Sequence, residues 1–162
     1  MLNPKWSITL IVGVVIAHNS FAEEPTRLEG AWRLLSYTLE YQATGRKELV
    51  MGEKPTGYAI FTPNGRAMFV ISADGRKPQT DDKGRAALLN TLVAYTGRYR
   101  VEENRWITKV EVAWNPEWVG TEQARFFRLD GNRLEVTTPW RSMPNWPEKE
   151  MTRSVLTFER SE

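Results

Sequence analysis

The sequence has no cysteine and a single histidine, His18. That histidine falls in a segment, residues 1–22, that reads as a secretion signal. Lys5 supplies the positive start. The apolar run from Trp6 to Ala17 is shorter than the roughly 20 residues that span a bilayer. Ser20-Phe21-Ala22 places small residues where a signal peptidase reads them, and Glu23-Glu24-Pro25 opens a polar, helix-breaking stretch. The expectation is a cleaved chain, residues 23–162, periplasmic or secreted and with no stable membrane anchor. Such a chain has neither histidine nor cysteine. That excludes a thiol nucleophile, a disulfide frame and a lipid-modified cysteine. It also excludes a Ser-His-Asp triad and any zinc or haem held by His or Cys. No acidic loop of the calcium type is present. Neither a cofactor nor a metal is expected, and any catalysis would fall to Tyr, Asp, Glu, Lys, Arg or bound water.

Charge of one sign is also scarce. The formal net charge of the full chain is +2. Lys5 is the only charged residue among the first 22, so cleavage leaves +1. Acidic and basic residues are interspersed, which gives no support to nucleic-acid binding. Internal repeats, low-complexity tracts and linkers are missing. So are phosphate-cradling loops: Asp74-Gly75-Arg76 and Asp130-Gly131 are turn chemistry.

What the chain does have is tryptophan, seven in all, and strands. Residues 28–39, 57–62, 66–72, 95–101, 105–114, 121–129, 133–138 and 151–159 carry β-rich or period-two patterns. Residues 82–93 change period: Ala87, Leu88, Leu92 and Val93 share a helical face behind Asp81 or Asp82 as N-cap. The joins alternate. Pro63-Asn64-Gly65, Glu102-Glu103-Asn104 and Asp130-Gly131-Asn132 are tight turns, while 40–55, 73–93, 115–120 and 139–150 are long. In an up-and-down barrel this sorts the tight turns to one end and the long joins to the other. The expected fold is all-β: an eight-stranded antiparallel barrel with one short helix between strands 3 and 4, a cup for one small ligand.

Gly30-Ala31-Trp32 on the first strand resembles the Gly-x-Trp signature of lipocalins, where the Trp closes the barrel base. The runs LEGAWRLLSY, GYAIFTPNGRAMFVIS, AYTGRYRV and VEVAWNPEWVGTEQARFFRLDGNRLEVTTP resemble, in order and spacing, the bacterial and fungal lipocalin-like domain family. The likeness covers about residues 28–159 and implies a lipocalin-like (calycin-type) barrel without a set ligand. Members of that family often carry histidine where this chain has Thr108 and Lys109, so no histidine-dependent role is implied.

Candidate binding residues come from the strands and the mouth. If residues 111 and 123 pair, Lys109, Glu111, Gln123 and Arg125 form one polar quartet. A two-residue Asp130-Gly131 turn sets Phe127 opposite Leu134 and turns Arg125 and Gln123 inward; a register one residue different turns them out. An inward Arg125 would be neutralised by Glu111 in the empty protein and would meet an acidic or carbonyl head group when ligand binds. Tyr95 and Tyr99 share a face with Gly97, whose missing side chain leaves space; Tyr37 and Tyr58 are further candidates. Trp114, Trp118, Trp140 and Trp146 lie in or beside the long joins. They either line the mouth for an apolar ligand or pack on the 82–93 helix and plug the cup.

Three functions follow. The first is non-covalent binding of a small hydrophobic or amphipathic molecule by Tyr95, Tyr99, Lys109, Glu111, Trp114, Trp118, Gln123, Arg125 and Trp140. The second is a cofactor-free isomerase or cyclase, with Tyr99 or Glu111 as acid–base and Arg125 stabilising an enolate. The third is an envelope protein–protein module with a plugged barrel. The oligomeric state is not legible in the chain.

Overall fold

Period-two burial runs through the strands and defines an inside. Thr152, Ser154, Leu156 and Phe158 are buried in one strand, and Ala67, Phe69 and Ile71 in another, with more exposed residues between them. The computed structural model describes residues 28–161; the expected signal sequence lies outside them. Its elements are β1 (Gly30–Tyr41), β2 (Lys47–Glu48), β3 (Thr56–Phe61), β4 (Arg66–Ser72), α1 (Asp82–Leu89), β5 (Leu92–Glu102), β6 (Arg105–Ala113), a 3-10 turn (Pro116–Trp118), β7 (Glu122–Asp130), β8 (Arg133–Thr137) and β9 (Thr152–Ser161). Successive strands pair antiparallel, and β1 pairs with β9 along nearly its whole length, closing the sheet. The result is an eight-stranded barrel, with β2 a two-residue addition beside the upper half of β1. The one α-helix among the described residues follows the third barrel strand, as expected.

The tight turns share one end of the barrel. Gly65 has φ +78°, which a side-chain-bearing residue adopts only with strain. Glu103 takes φ +52° without being glycine. Above these turns the interior is filled by rings. Trp32 is fully buried and donates through Nε1 to the Leu28 carbonyl at 2.7 Å, while Arg160 lies 4.2 Å over its face. Phe61 packs edge-on to Phe69, Tyr99 and Trp106, and Phe69 stacks on Trp106 with planes 5° apart. Each such burial contributes roughly 2–3 kcal/mol of transfer free energy. The lower half of the cup is therefore solid.

Two bulges decide what faces the upper half. β1 slips its register at Leu35 against β9, so Trp32 and Leu34 point in below it and Tyr37, Leu39 and Tyr41 point in above it. The β5–β6 pairing slips at Glu111, which has no partner between the Thr96–Val112 and Gly97–Val110 pairs. A Cβ on Gly97 would collide with the Lys109 carbonyl. Its bareness therefore admits the neighbouring backbone, and does not leave the ligand space expected of it.

The helix is shorter than the 82–93 pattern suggested, because Leu92 and Val93 belong to β5. Asp81 caps it, accepting from Gly84 N at 2.7 Å. None of its residues is buried, so it does not plug the barrel. The outer wall of β3 to β6 exposes Tyr58, Ile60, Met68, Val70 and Val112, which places Tyr58 outside the lumen.

Candidate functional site

The upper half of the barrel holds a pocket between the aromatic floor and the long joins. Phe69, Trp106 and Phe158 form its bottom; Ile71, Val93, Val136, Leu156 and Met143 form apolar walls; Tyr37, Tyr95, Thr138, Ser154, Arg125 and Arg141 supply the polar atoms, and Trp118 covers one side. The space not occupied by atoms is about 410 Å³ with the open solvent at its mouth included, but a water-sized sphere can centre itself in only about 30 Å³. That is room for one or two waters, or for a small ligand only after side chains shift.

Gln123 and Arg125 both face inward, 8% and 5% exposed; Arg125 lines the pocket, and Gln123 stands behind the lining, accepting from Arg125 and Arg141 through its side-chain oxygen. The inward direction came from a different register than the expected one. Phe127 pairs with Val136 and Leu129 with Leu134, leaving Gly131-Asn132 as the two-residue loop. This differs from the expected pairing by two residues, and a shift of two preserves the face.

The quartet fails on the other side. Thr108, not Glu111, lies opposite Gln123, and Lys109 lies opposite Glu122. That displacement is three residues, an odd number, so Lys109 and Glu111 fall on the outer wall. Lys109 donates to the Gly120 carbonyl at 2.6 Å, and Glu111 accepts from Arg66 at 2.6 Å. Glu111 therefore neither neutralises Arg125 nor serves as a lumen base.

Tyr95 lines the pocket. Tyr99 sits lower, edge-on to Phe61 among the floor rings, and is not part of the lining. An enzyme using Tyr99 or Glu111 thus loses both of its proposed acid–base groups. Trp118 is buried against Tyr95 at a centroid distance of 5.4 Å. Trp114 packs edge-on behind Trp118, outside the lining. Trp146 packs on Tyr37. Trp140 lies under Arg153, which is paired with Glu40 away from the pocket.

Arg141 was not anticipated. It lies in the join between β8 and β9, where no periodicity signals direction. A two-bond bridge to Thr152 fixes it, with N···O distances of 2.8 and 3.0 Å. Its guanidinium lies 4.9 Å over Trp118 and donates to Gln123 Oε1 at 2.7 Å. Arg125 donates to the Ala124 carbonyl at 2.7 Å and more weakly to the same Gln123 oxygen, at 3.4 and 3.5 Å. The Arg141 Nε has no partner among the described residues, nor has the buried Nε1 of Trp106 on the floor.

No carboxylate lines the pocket, and among the described residues neither arginine forms an ion pair. Burial, followed by repulsion from Arg125, pulls Arg141 down to about 9, so it stays charged at neutral pH. Burial pushes the Tyr37 and Tyr95 hydroxyls up, which keeps both neutral. Tyr37 shares a 2.6 Å hydrogen bond with Ser154 Oγ.

A model of the lipocalin-like domain matches residues 29–161. The chain belongs to the lipocalin-like domain family. The match spans every strand of the barrel, and in this lipocalin-like barrel Trp32 of the Gly-x-Trp signature does seal the base. A search of curated proteins returned no match. Family membership suggests small-molecule binding in general.

Proposed function

We propose that the protein binds one small amphipathic molecule in the upper half of its barrel, and that it does so after export and cleavage behind Ala22. The supporting observation is the pair of arginines, Arg125 and Arg141, kept without a carboxylate in a pocket whose other lining side chains are all uncharged. A buried charge is costly unless paired. A protein that retains two of them beside an aromatic floor has a use for the charge in some other state, and a bound ligand supplies it. The apolar body lies on Phe69, Trp106 and Trp118; the polar head meets the guanidinium groups.

Native mass spectrometry of residues 23–162, purified from the periplasm of its own host and followed by solvent extraction, tests this. A co-purifying small molecule released unchanged, and absent from Arg125→Met, is the expected result. A clean apo mass, together with no shift in tryptophan emission on titrating a panel of small amphipathic molecules, would sink the reading.

A further inference from the structure

We infer that the head group is a single carboxylate, and that Gln123 occupies its seat in the empty protein. The inference rests on the lumen-binding reading above and adds the chemical class. Gln123 Oε1 lies between two guanidinium groups, 2.7 Å from Arg141 and 3.4–3.5 Å from Arg125. The orientation of its amide is determined by its neighbours. Thr121 Oγ1 donates to the Trp118 carbonyl at 2.7 Å, so it accepts from Gln123 Nε2 at 3.0 Å, and the amide oxygen is left facing the arginines.

The side-chain amide is planar and neutral, with one acceptor oxygen. A carboxylate has the same shape, a second acceptor oxygen and the charge the site lacks. Arginine forks bind carboxylates in-plane through paired N–H groups. The unpartnered Arg141 Nε is the donor that a second oxygen would satisfy. A tetrahedral phosphate or sulfonate is bulkier than the amide it would replace, in a pocket with about 30 Å³ to spare. Binding therefore swings Gln123 out and seats the ligand carboxylate in its place. Gln123 competes with the ligand and sets its affinity.

Gln123→Glu tests the seat without any ligand, because the substitution is isosteric and places a carboxylate where the inference needs one. The apo melting temperature at pH 7 should rise by about 5 °C. A fall would overturn the inference, since a carboxylate buried away from cations destabilises. Tryptophan fluorescence titrations with cinnamate, cinnamamide and phenylphosphonate supply the second readout. Cinnamate should bind Gln123→Ala about tenfold more tightly than wild type, and Gln123→Glu at least tenfold more weakly. Cinnamamide should show neither trend. Equal binding of cinnamate and cinnamamide would overturn the carboxylate while leaving lumen binding intact, and stronger binding of phenylphosphonate would reassign the head to a tetrahedral anion. A raised melting temperature for Gln123→Glu in a protein that fails the extraction and panel experiment would keep the anion seat and sink the amphipathic container.

Discussion

Arg141→Met should make the empty protein more stable. The two arginines share the Gln123 oxygen at 2.7 and 3.4 Å, so their nearest nitrogens lie within about 6 Å of each other. At an effective dielectric of ~20, two unit charges at that separation repel by roughly 3 kcal/mol. Desolvation of the guanidinium is the larger penalty, and with the repulsion it holds Arg141 down at about 9, well below the ordinary arginine range, a shift worth several kcal/mol at neutral pH. Against this stand one charged hydrogen bond to Gln123, worth about 1.5–3 kcal/mol, and the contact with Trp118, worth about 1 kcal/mol. Methionine keeps much of the apolar stem and adapts to irregular space. The balance favours the variant by about 2 kcal/mol, or roughly 5–8 °C in melting temperature for a domain of this size.

The assay is thermal unfolding of apo wild type and Arg141→Met by circular dichroism at pH 7. Arg128→Met, at an exposed pair with Glu135, is a control expected to gain nothing. The pH dependence has a definite sign. The folded-state value of Arg141 lies below the unfolded one, so its penalty is complete below about pH 9 and fades as pH rises from there toward the ordinary arginine range. The advantage of the variant should accordingly shrink in alkali. A variant that melts several degrees below wild type at pH 7 would refute the reasoning, because Arg141 would then be a structural anchor rather than a charge held in reserve.

Gly97→Ala should lose about 3 kcal/mol or more in urea unfolding, since its Cβ would meet the Lys109 backbone carbonyl, a neighbour that cannot move aside cheaply. Glu103→Gly should gain about 1 kcal/mol in the same measurement, because φ +52° disfavours a side chain there, and no gain would mean that the turn is not strained. At the mouth, Glu48 is held down at about 2, first by the Tyr41 hydroxyl and then by Lys149, which together tie the β8–β9 join to β2. Its folded value is depressed, so this tie acts above pH 4.5 and is lost as pH falls through about 2; amide exchange at Lys149 should quicken in that window in wild type and already at pH 7 in Glu48→Gln.

The barrel was legible because its signals are local. Pro63-Asn64-Gly65 and Asp130-Gly131-Asn132 mark hairpins by their own chemistry, and sorting short and long joins to opposite ends follows from the meander alone. The site was less legible because it depends on parity. A tight turn tells nearly where its strands pair, and the two-residue error at Asp130-Gly131 left Arg125 facing inward. The β6–β7 join contains a 3-10 turn, Pro116–Trp118, and gives no such rule; a three-residue error there turned Lys109 and Glu111 out. The bulges at Leu35 and Glu111 change phase inside strands whose sequences look regular. Arg141 gave no signal at all. Its direction comes from pairing with Thr152, and no motif in the join between β8 and β9 announces that contact.

The floor sets the size of what the cup can hold. On β4, Phe69 belongs to the bottom and Ile71 to the wall, and β5 supplies Tyr95 at the level of Phe69 and Val93 at the level of Ile71. Two residues along a strand advance about 7 Å, close to the width of one aromatic ring. The rings below that level account for much of the interior burial, so deepening the cup would remove the packing that makes two unpaired arginines tolerable. Stability and capacity are thus coupled through Phe69 and Trp106. The packed half offsets the electrostatic cost of the upper half, and the proposed ligand would accordingly have a body of about one ring beneath its head group.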